Sequence, residues 1–266
     1  MFVDFAKDFE PLYHFTSFES AIRILASHKI RFGKMNRLND PLESFRTIYV
    51  SSEFLPDNDA FDIIPIIKEE LNHYQQISFV GDRKNIAGFS LNHMWGNYAD
   101  NGYGVCIVFD KRYVIEGLVS ANYGYVKNKR NYDPSIVLKK LEGCDQNFVA
   151  QYIRRRVKST FFYKSKEWEC EQEFRIVQRF DIVGDYYLNL GEKWNDAIKC
   201  VVFCKAHDIG DGENVFNSSS FLAISRLIPS QCRMAQFTKD LEGYNILYDA
   251  KGDTLWGEIP VISECE

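Results

Sequence analysis

The stretch 166–177, with the sequence KEWECEQEFRIV, constrains the fold of this chain more than any other. If it is a β-strand, its side chains alternate between two faces. One face then receives four charged groups, those of Glu169, Glu171, Glu173 and Arg175. Such a row is costly unless its members are solvated, paired or used for chemistry. We therefore predict a strand here and look for the function on its charged face.

Composition limits the class of protein. The chain has 266 residues, enough for one large domain, and its net charge of -5 argues against a general nucleic-acid binder. No run approaches the roughly 20 apolar residues of a membrane helix, and the N-terminus lacks the apolar segment of a signal peptide. The seven cysteines are odd in number and scattered, which favours reduced thiols. We expect a cytoplasmic protein with no membrane partner.

Apolar periodicity and turn residues divide the chain into short elements. Strands are predicted at 11–17, 30–32, 86–90, 104–109, 166–177, 186–190, 197–204, 233–238 and 245–248. Helices are predicted after Ser17, after Asp40 and at 63–74, 93–100, 145–163 and 213–228. No linker or repeat splits the chain, so we predict one α+β domain over 1–266 with a central, largely antiparallel sheet. The helical stretch 134–163 is interpreted as an insertion or lid.

Three groups of residues occur in order and form a pattern. They are LYHFTS at 12–17 with LNDP at 38–41, GFS at 88–90 with WGNYAD at 95–100 and GVC at 104–106, and WECEQEFR at 168–175. This pattern resembles the bacterial family called domain of unknown function 2971, from Leu12 to about Tyr248. The family's name implies no activity, so this resemblance predicts relatedness without a function.

The same residues resemble, more distantly, the ADP-ribosyltransferase superfamily of the His-Tyr-Glu type. A first strand with His14 and Thr16, followed by a helix ending in Ile-Leu, is similar to the start of that fold. The resemblance implies a split, largely antiparallel β-sheet core of ADP-ribosyltransferase-like type with flanking helices. It also implies NAD as the substrate, with His14 bonded to a ribose.

The resemblance extends to the residues that would hold NAD. Phe89, Ser90 and Tyr98 resemble the aromatic, small hydroxyl and tyrosine that enclose nicotinamide in that class, although the class has tyrosine where Phe89 stands. The catalytic glutamate matches Glu171 or Glu173, and the choice stays open. Further candidates for contact with NAD are Thr16, Arg175 and Asn39, of which Asn39 also fits a helix cap beside Asp40.

Cleavage of the nicotinamide–ribose bond explains why such residues are needed. The transition state resembles an oxocarbenium ion, which a fixed carboxylate stabilises, and an aromatic face suits the cationic nicotinamide ring. The resemblance therefore implies an enzyme that transfers ADP-ribose to an unknown macromolecular acceptor, protein or nucleic acid. The habits of the resembling families would make it a toxin or an antiviral defence effector.

Two other functions remain open from the sequence. The chain could be a non-catalytic nucleotide- or partner-binding module that keeps the same fold. It could instead be a metal-dependent hydrolase or nuclease that uses His14 with Glu169, Glu171 and Glu173 as ligands. No short metal motif supports the latter, and same-face carboxylates on one strand lie about 7 Å apart. We therefore predict no metal site.

Overall fold

The computed structural model describes residues 8–35, 48–50, 59–82, 86–118, 120–130, 136–138, 146–208, 214–239, 245–251 and 253–259. These residues form a mixed α/β structure with a mostly antiparallel open sheet and several helices. The α+β class predicted from the sequence is confirmed at this level. Asn39 and Asp40 lie outside the described residues.

The elements are numbered along the chain. The strands are β1 (Pro11–Thr16), β2 (Lys29–Arg31), β3 (Gly33–Lys34), β4 (Ile48–Val50), β5 (Tyr74–Gly81), β6 (Val105–Asp110), β7 (Asn122–Tyr125), β8 (Lys127–Lys129), β9 (Ile136–Leu138), β10 (Tyr163–Ser165), β11 (Glu173–Arg179), β12 (Tyr187–Asn189), β13 (Ile198–Phe203), β14 (Arg233–Lys239), β15 (Asn245–Asp249) and β16 (Thr254–Ile259). The helices are α1 (Phe18–Ser27), α2 (Asp59–Asn72), α3 (Asn92–Tyr98), α4 (Lys111–Glu116), α5 (Gln146–Arg155), α6 (Val157–Phe161), α7 (Trp194–Ala197) and α8 (Ser219–Ser225).

The first strand and helix form as their sequence predicts. Ser17 caps α1, because its hydroxyl accepts a hydrogen bond from the Ser20 amide at 3.3 Å. The helix ends where His28 adopts a left-handed conformation, with φ of 58°. Ala21 and Leu25 are fully buried on one side of the helix, which fixes α1 against the sheet.

A ten-stranded sheet forms the centre of the molecule. Its strand order is β16-β15-β14-β13-β6-β1-β5-β11-β7, with β3 attached to β5. All of these pairs are antiparallel except β13 with β14. Every residue of β6 is buried, as expected of a strand covered on both faces. Three smaller two-stranded sheets pair β10 with β8, β12 with β2 and β4 with β9.

Alternation of side chains gives the sheet two distinct faces. The face covered by α1, which we call the α1 face, carries Leu12 and Phe109. The opposite face, which we call the α3 face, carries Tyr13 and Val80 and packs against Trp95 of α3. Both faces are buried in the centre of the sheet, so a side chain's position in the register decides which environment it enters.

The described part of the predicted insertion packs on the end of the sheet. In α5 and α6, Ile153, Val157 and Phe161 are buried in one cluster with Ile67 of α2 and Val177 of β11. This apolar contact holds both helices against β5 and β11. Whether 134–163 acts as a lid stays a prediction.

The backbone pairing between β1 and β5 is interrupted. β5 pairs with β1 at Val80 and Gly81, and with the short β3 at Gln75 and Gln76. Residues 77–79 of β5 lie between these two ladders, on the edge that faces His14. On its other edge β5 pairs continuously with β11. The interruption gives a side chain of β1 access to the β5 backbone.

The predicted strand at 166–177 is wrong in its first half. Lys166–Glu171 forms a 3₁₀ helix, and β11 begins only at Glu173. Gln172 separates the two and has a left-handed conformation, with φ of 50°, which neither a 3₁₀ helix nor a strand contains. Glu169 therefore pairs with Lys166 one turn earlier, at 3.5 Å, and does not share a strand face with Glu173.

Other predicted boundaries also differ. Residues Gly88–Ser90 form a 3₁₀ helix where the sequence predicts a strand end, and the predicted helix at 145–163 is broken at Arg156. The predicted helix at 213–228 is replaced by a 3₁₀ turn at Val215–Asn217 and the short α8, which Ser218 caps. The central strand β5 is missing from the sequence prediction, which placed Tyr74 at a helix end.

Candidate functional site

A buried network of charged side chains lies on the α3 face, next to Tyr98 at the end of α3. Its members are Lys164 from β10, Glu171 from the 3₁₀ helix, and Glu173 and Arg175 from β11. All four are at most 8% exposed, and Arg175 is fully buried. Two carboxylates and two cations balance in charge, which is the condition under which such groups can be buried together.

Glu173 is held by three neighbours. Arg175 donates to both of its carboxylate oxygens, from Nε at 2.8 Å and from a terminal nitrogen at 2.9 Å. The Ser78 hydroxyl donates to Oε1 at 2.7 Å, and Lys164 Nζ lies 3.0 Å from Oε2. Arg175 also donates to the Phe161 carbonyl. The acceptor positions of Glu173 are therefore occupied by fixed donors.

Glu171 joins this pair to α3. Lys164 Nζ donates to its Oε2 at 2.7 Å, and the Tyr98 hydroxyl donates to its Oε1 at 2.6 Å. Lys164 lies between the two glutamates, with its ammonium 5.0 Å from the centre of the Trp168 ring. The structure thus brings together Tyr98, Glu171, Glu173 and Arg175, four residues that the sequence singled out.

The electrostatics of Glu173 follow from these contacts. Burial alone would raise the pKa of its carboxyl group, but Arg175, Lys164 and the Ser78 hydroxyl hold that pKa well below its usual value. Glu173 is therefore ionised throughout the neutral range. A carboxylate with this many fixed partners is suited to anchoring its neighbours, and less suited to exchanging a proton.

His14 lies on the other side of β5. Its register with Ile107 and its ring contact with Phe79, 5.6 Å between centroids, place it on the α1 face. Its Nδ1 is 3.2 Å from the Ser78 carbonyl, across the interrupted ladder. A carbonyl only accepts, so Nδ1 carries the proton of this bond. Ser78 thereby contacts His14 through its backbone and Glu173 through its side chain.

The protonation of His14 has a clear physical cause. Burial lowers the pKa of its imidazole, and the bond to the Ser78 carbonyl opposes this only in part. The ring is therefore neutral near pH 7, with Nδ1 protonated. Its Nε2 is left as a hydrogen-bond acceptor, which is the group that a ligand hydroxyl would need.

A cavity of about 310 Å³ opens beside His14 and Thr16. Arg23 of α1 and Lys29 and Arg31 of β2 line it and give it a positive character. Among the described residues that line the cavity, none carries a carboxylate. Arg23 also contacts Glu19, at 2.6 Å on the exposed side of α1, so Lys29 and Arg31 are the principal cations.

Phe89 and Ser90, two other predicted site residues, are core residues of the α3 face. Phe89 is fully buried, with edge contacts to the rings of Tyr13 and Phe237 at 5.8 Å each. Ser90 is 4% exposed and donates to the Ala87 carbonyl at 2.7 Å. The structure therefore uses these two side chains for packing and for closing the 3₁₀ turn, and does not direct them towards His14.

Two residues that contact Glu173 were missed from the sequence. Lys164 sits in a short Tyr-Lys-Ser strand and looks like any surface lysine, and Ser78 lies in the strand that was not predicted. A signal for Lys164 did exist, because three glutamates and one arginine between 169 and 175 leave carboxylates without cations. The cationic lining of the cavity had no such signal, since its members are spaced irregularly between α1 and β2.

The metal alternative can be compared with this geometry. Within the described part of the chain there is no group of three or more His, Cys, Asp or Glu side chains placed to hold a metal ion. Lys164 stands between Glu171 and Glu173, and His14 lies on the opposite face of the sheet.

No helix among the described residues combines the length and apolar character that crossing a bilayer requires.

Comparison with known proteins gave one finding. Residues 94–176 match the family model described as "Protein of unknown function (DUF2971)". This confirms the resemblance to that family over this part of the chain, which contains Tyr98 and the whole charged network. His14 and the cavity lie outside the matched residues. No curated protein and no solved structure matches the chain.

Proposed function

We propose that this protein binds a nucleotide with a diphosphate group, and that NAD is its ligand, in the cavity at the end of β1. The observation that carries the proposal is the meeting of His14 and Thr16 with Arg23, Lys29 and Arg31 around one space of about 310 Å³. This volume is at the lower end of the range for ligand pockets. It suits one nucleotide half of a dinucleotide.

Each chemical group of the ligand has a partner in the cavity. Guanidinium and ammonium groups bind phosphate oxygens through charge-assisted hydrogen bonds, which assigns the diphosphate to Arg31 and Lys29. The neutral imidazole of His14 offers Nε2 as an acceptor for a ribose hydroxyl. Thr16 can donate or accept beside it. This assignment keeps the contact with ribose that the resemblance implies for His14.

Binding has stronger support than turnover. Stabilisation of an oxocarbenium-like transition state needs a carboxylate close to the ribose. Glu171 and Glu173 are 3% and 8% exposed, bound to Lys164, and on the α3 face, whereas the cavity opens on the α1 side. A non-catalytic nucleotide-binding module is therefore our first conclusion.

ADP-ribosyl transfer is the second candidate, and one contact favours it. Tyr98 and Glu171, which the resemblance assigns to nicotinamide stacking and catalysis, are joined by a hydrogen bond of 2.6 Å although they are 73 residues apart. The interrupted ladder beside His14 would correspond to the split core of an ADP-ribosyltransferase-like fold. Glu171 is the better catalytic choice, because the oxygens of Glu173 are held by Arg175, Lys164 and Ser78.

In that reaction the bond between nicotinamide and ribose breaks, and its electron pair leaves with nicotinamide. A nucleophile of the acceptor, from a protein, a nucleic acid or water, forms the new bond to ribose and loses its proton to the solvent or a base. The Glu171 carboxylate would stabilise the positive charge on the ribose. For this step the ribose would have to lie on the α3 face beside Glu171, and Glu171 would have to be released from Lys164.

Calorimetric titration of the purified protein with NAD, with nicotinamide release measured in parallel, tests both candidates. We expect NAD to bind, and Arg31→Ala to weaken binding about tenfold or more, since a lost charge-assisted bond is worth about 1.5–3 kcal/mol. Arg155→Ala, an exposed arginine of α5 outside the cavity, is the matched control and should bind normally.

The outcomes separate the hypotheses. Binding without nicotinamide release supports the binding module. Release that disappears in Glu171→Gln, with NAD binding retained, supports the transferase. Absence of binding to both NAD and ADP in the wild-type protein overturns the proposed function.

A further inference from the structure

We infer that Tyr187 is the stacking surface for the base of the bound nucleotide, so that the cavity takes a nucleoside diphosphate with an aromatic base, such as the ADP half of NAD. This inference rests on the proposed function and adds to it the part of the ligand that is recognised. No aromatic residue was assigned to this end of the ligand from the sequence.

The placement of Tyr187 follows from the small sheet formed by β2 and β12. Tyr187 is directly opposite Arg31 in the register, and Leu188 is opposite Ile30. Leu188 and Ile30 are buried in the core on the inner face. The alternation of the strands therefore places Tyr187 and Arg31 together on the outer face, where directly opposed side chains are about 5 Å apart at Cβ. Both residues line the cavity.

The exposure of Tyr187 leaves its ring accessible. Tyr187 is 52% exposed as a residue, which is high for a large aromatic residue. The neighbouring Tyr186 shows the opposite behaviour, because it stacks on Phe180 with 3.7 Å between ring centroids and donates its hydroxyl to the Ile182 carbonyl. Of these two adjacent tyrosines, one is used by the fold and the other is presented at the edge of a cationic cavity.

The chemistry of the cavity then matches one ligand class. Arg31 and Lys29 supply the charge for two phosphates, and a tyrosine face beside them can stack on a base without reading its identity. A free diphosphate would use the cations alone, and a nucleoside would use the tyrosine alone. A ligand that contacts both the cations and the Tyr187 ring must carry a diphosphate and an aromatic base close enough together to lie in the same cavity.

The test compares two probes on the full-length protein. Binding of ADP and of inorganic pyrophosphate is measured by calorimetry for the wild type, Tyr187→Ala and Tyr187→Phe. We expect Tyr187→Ala to weaken ADP about tenfold or more while pyrophosphate binds as in the wild type, because stacking on one base is worth about 1–3 kcal/mol. Tyr187→Phe keeps the ring and should bind ADP like the wild type.

Tyr123→Ala is the matched control, since Tyr123 is 45% exposed on β7 and does not line the cavity. Its ADP affinity should equal that of the wild type. Unchanged ADP affinity in Tyr187→Ala overturns the stacking role while leaving the cationic site in place. An equal loss of ADP and pyrophosphate in Tyr187→Ala also overturns it, because the effect would then not be specific to the base. If the wild-type protein binds neither ADP nor pyrophosphate, the proposed function is overturned together with this inference.

Discussion

His14 and Glu173 contact the same residue, Ser78, from opposite faces of the sheet. The Ser78 carbonyl accepts a hydrogen bond from Nδ1–H of His14, and the Ser78 hydroxyl donates to Glu173 at 2.7 Å. One residue of β5 therefore links the cavity on the α1 face to the charged network on the α3 face. The side chains of His14 and Glu173 therefore lie on opposite faces of the sheet and do not face a common space.

The stability of the protein should depend on pH through Glu173. Its folded pKa lies well below the value of about 4.3 for an unperturbed glutamate. Between these two values the unfolded chain binds a proton that the folded chain does not, so stability rises with pH in this window and is lost on acidification through it. Glu173→Gln should cost about 3–5 kcal/mol at pH 7, because Arg175 stays buried without its charge partner. Urea unfolding from pH 7 to pH 3.5 should show that the difference in stability between the wild type and Glu173→Gln narrows below about pH 4.

Glu169→Gln is the control for this series. Glu169 lies in the adjacent 3₁₀ helix and its side chain is 38% exposed beside Lys166. Its replacement should change stability by less than about 0.5 kcal/mol at every pH. If the difference in stability between Glu173→Gln and the wild type stays constant down to pH 3.5, Glu173 is not the titrating group.

Tyr98→Phe tests the contact between α3 and the network. The change removes one hydroxyl and leaves the buried Glu171 carboxylate with one donor fewer, which should cost about 1.5–3 kcal/mol. The free energy of unfolding from urea titration measures it. Tyr123→Phe removes an exposed hydroxyl on β7 and should have little effect. Equal stability of both variants would mean that the Tyr98 hydroxyl does not support Glu171.

The sequence predicted several neighbouring strands of the central sheet but missed β5, β7 and β16. Strands such as β1 and β6 were found because their apolar residues are bounded by clear turn and cap residues. β5 was missed, since its buried residues include Gln75 and Gln76, and Ser78 of the same strand is polar and exposed. Polar residues in a central strand hide the period of two that sequence analysis relies on.

The candidate site shows the same limit. Tyr98 and Glu171 could be singled out by residue type and by resemblance, but Glu171 ends a 3₁₀ helix that the sequence did not predict, and Gln172 after it has a left-handed backbone. Glutamine is not a residue type that signals this conformation. The sequence also could not reveal that β5 separates His14 from Glu173, because strand order in a sheet depends on long-range pairing.

His14→Gln should change how stability depends on pH near neutrality. Burial lowers the pKa of His14 in the folded protein, whereas an unperturbed histidine has a pKa of about 6.5. Below pH 6.5 the unfolded chain takes up a proton that the folded chain does not, so the wild type loses stability as the pH falls towards 5. Glutamine can still donate to the Ser78 carbonyl and does not titrate. The variant should therefore lose less stability than the wild type between pH 7 and pH 5, as measured by thermal unfolding, and parallel curves would refute this role of His14.

The backbone of Gly104 lies close to the Thr16 carbonyl at the edge of the cavity. A Cβ at Gly104 would lie 2.2 Å from the Thr16 carbonyl oxygen and 3.0 Å from backbone atoms of Ala99, neither of which can move aside as a side chain could. Gly104→Ala should therefore cost about 1–3 kcal/mol and weaken nucleotide binding by displacing Thr16. Gly96→Ala is the matched control, because a Cβ there meets nothing within 4 Å and alanine in a helix should gain about 0.5–1 kcal/mol. Unfolding measurements should therefore show that Gly104→Ala lowers stability and that Gly96→Ala raises it. In ADP titrations only Gly104→Ala should lower the affinity. A Gly104→Ala protein with normal stability would mean that β1 and β6 can separate at this point without cost.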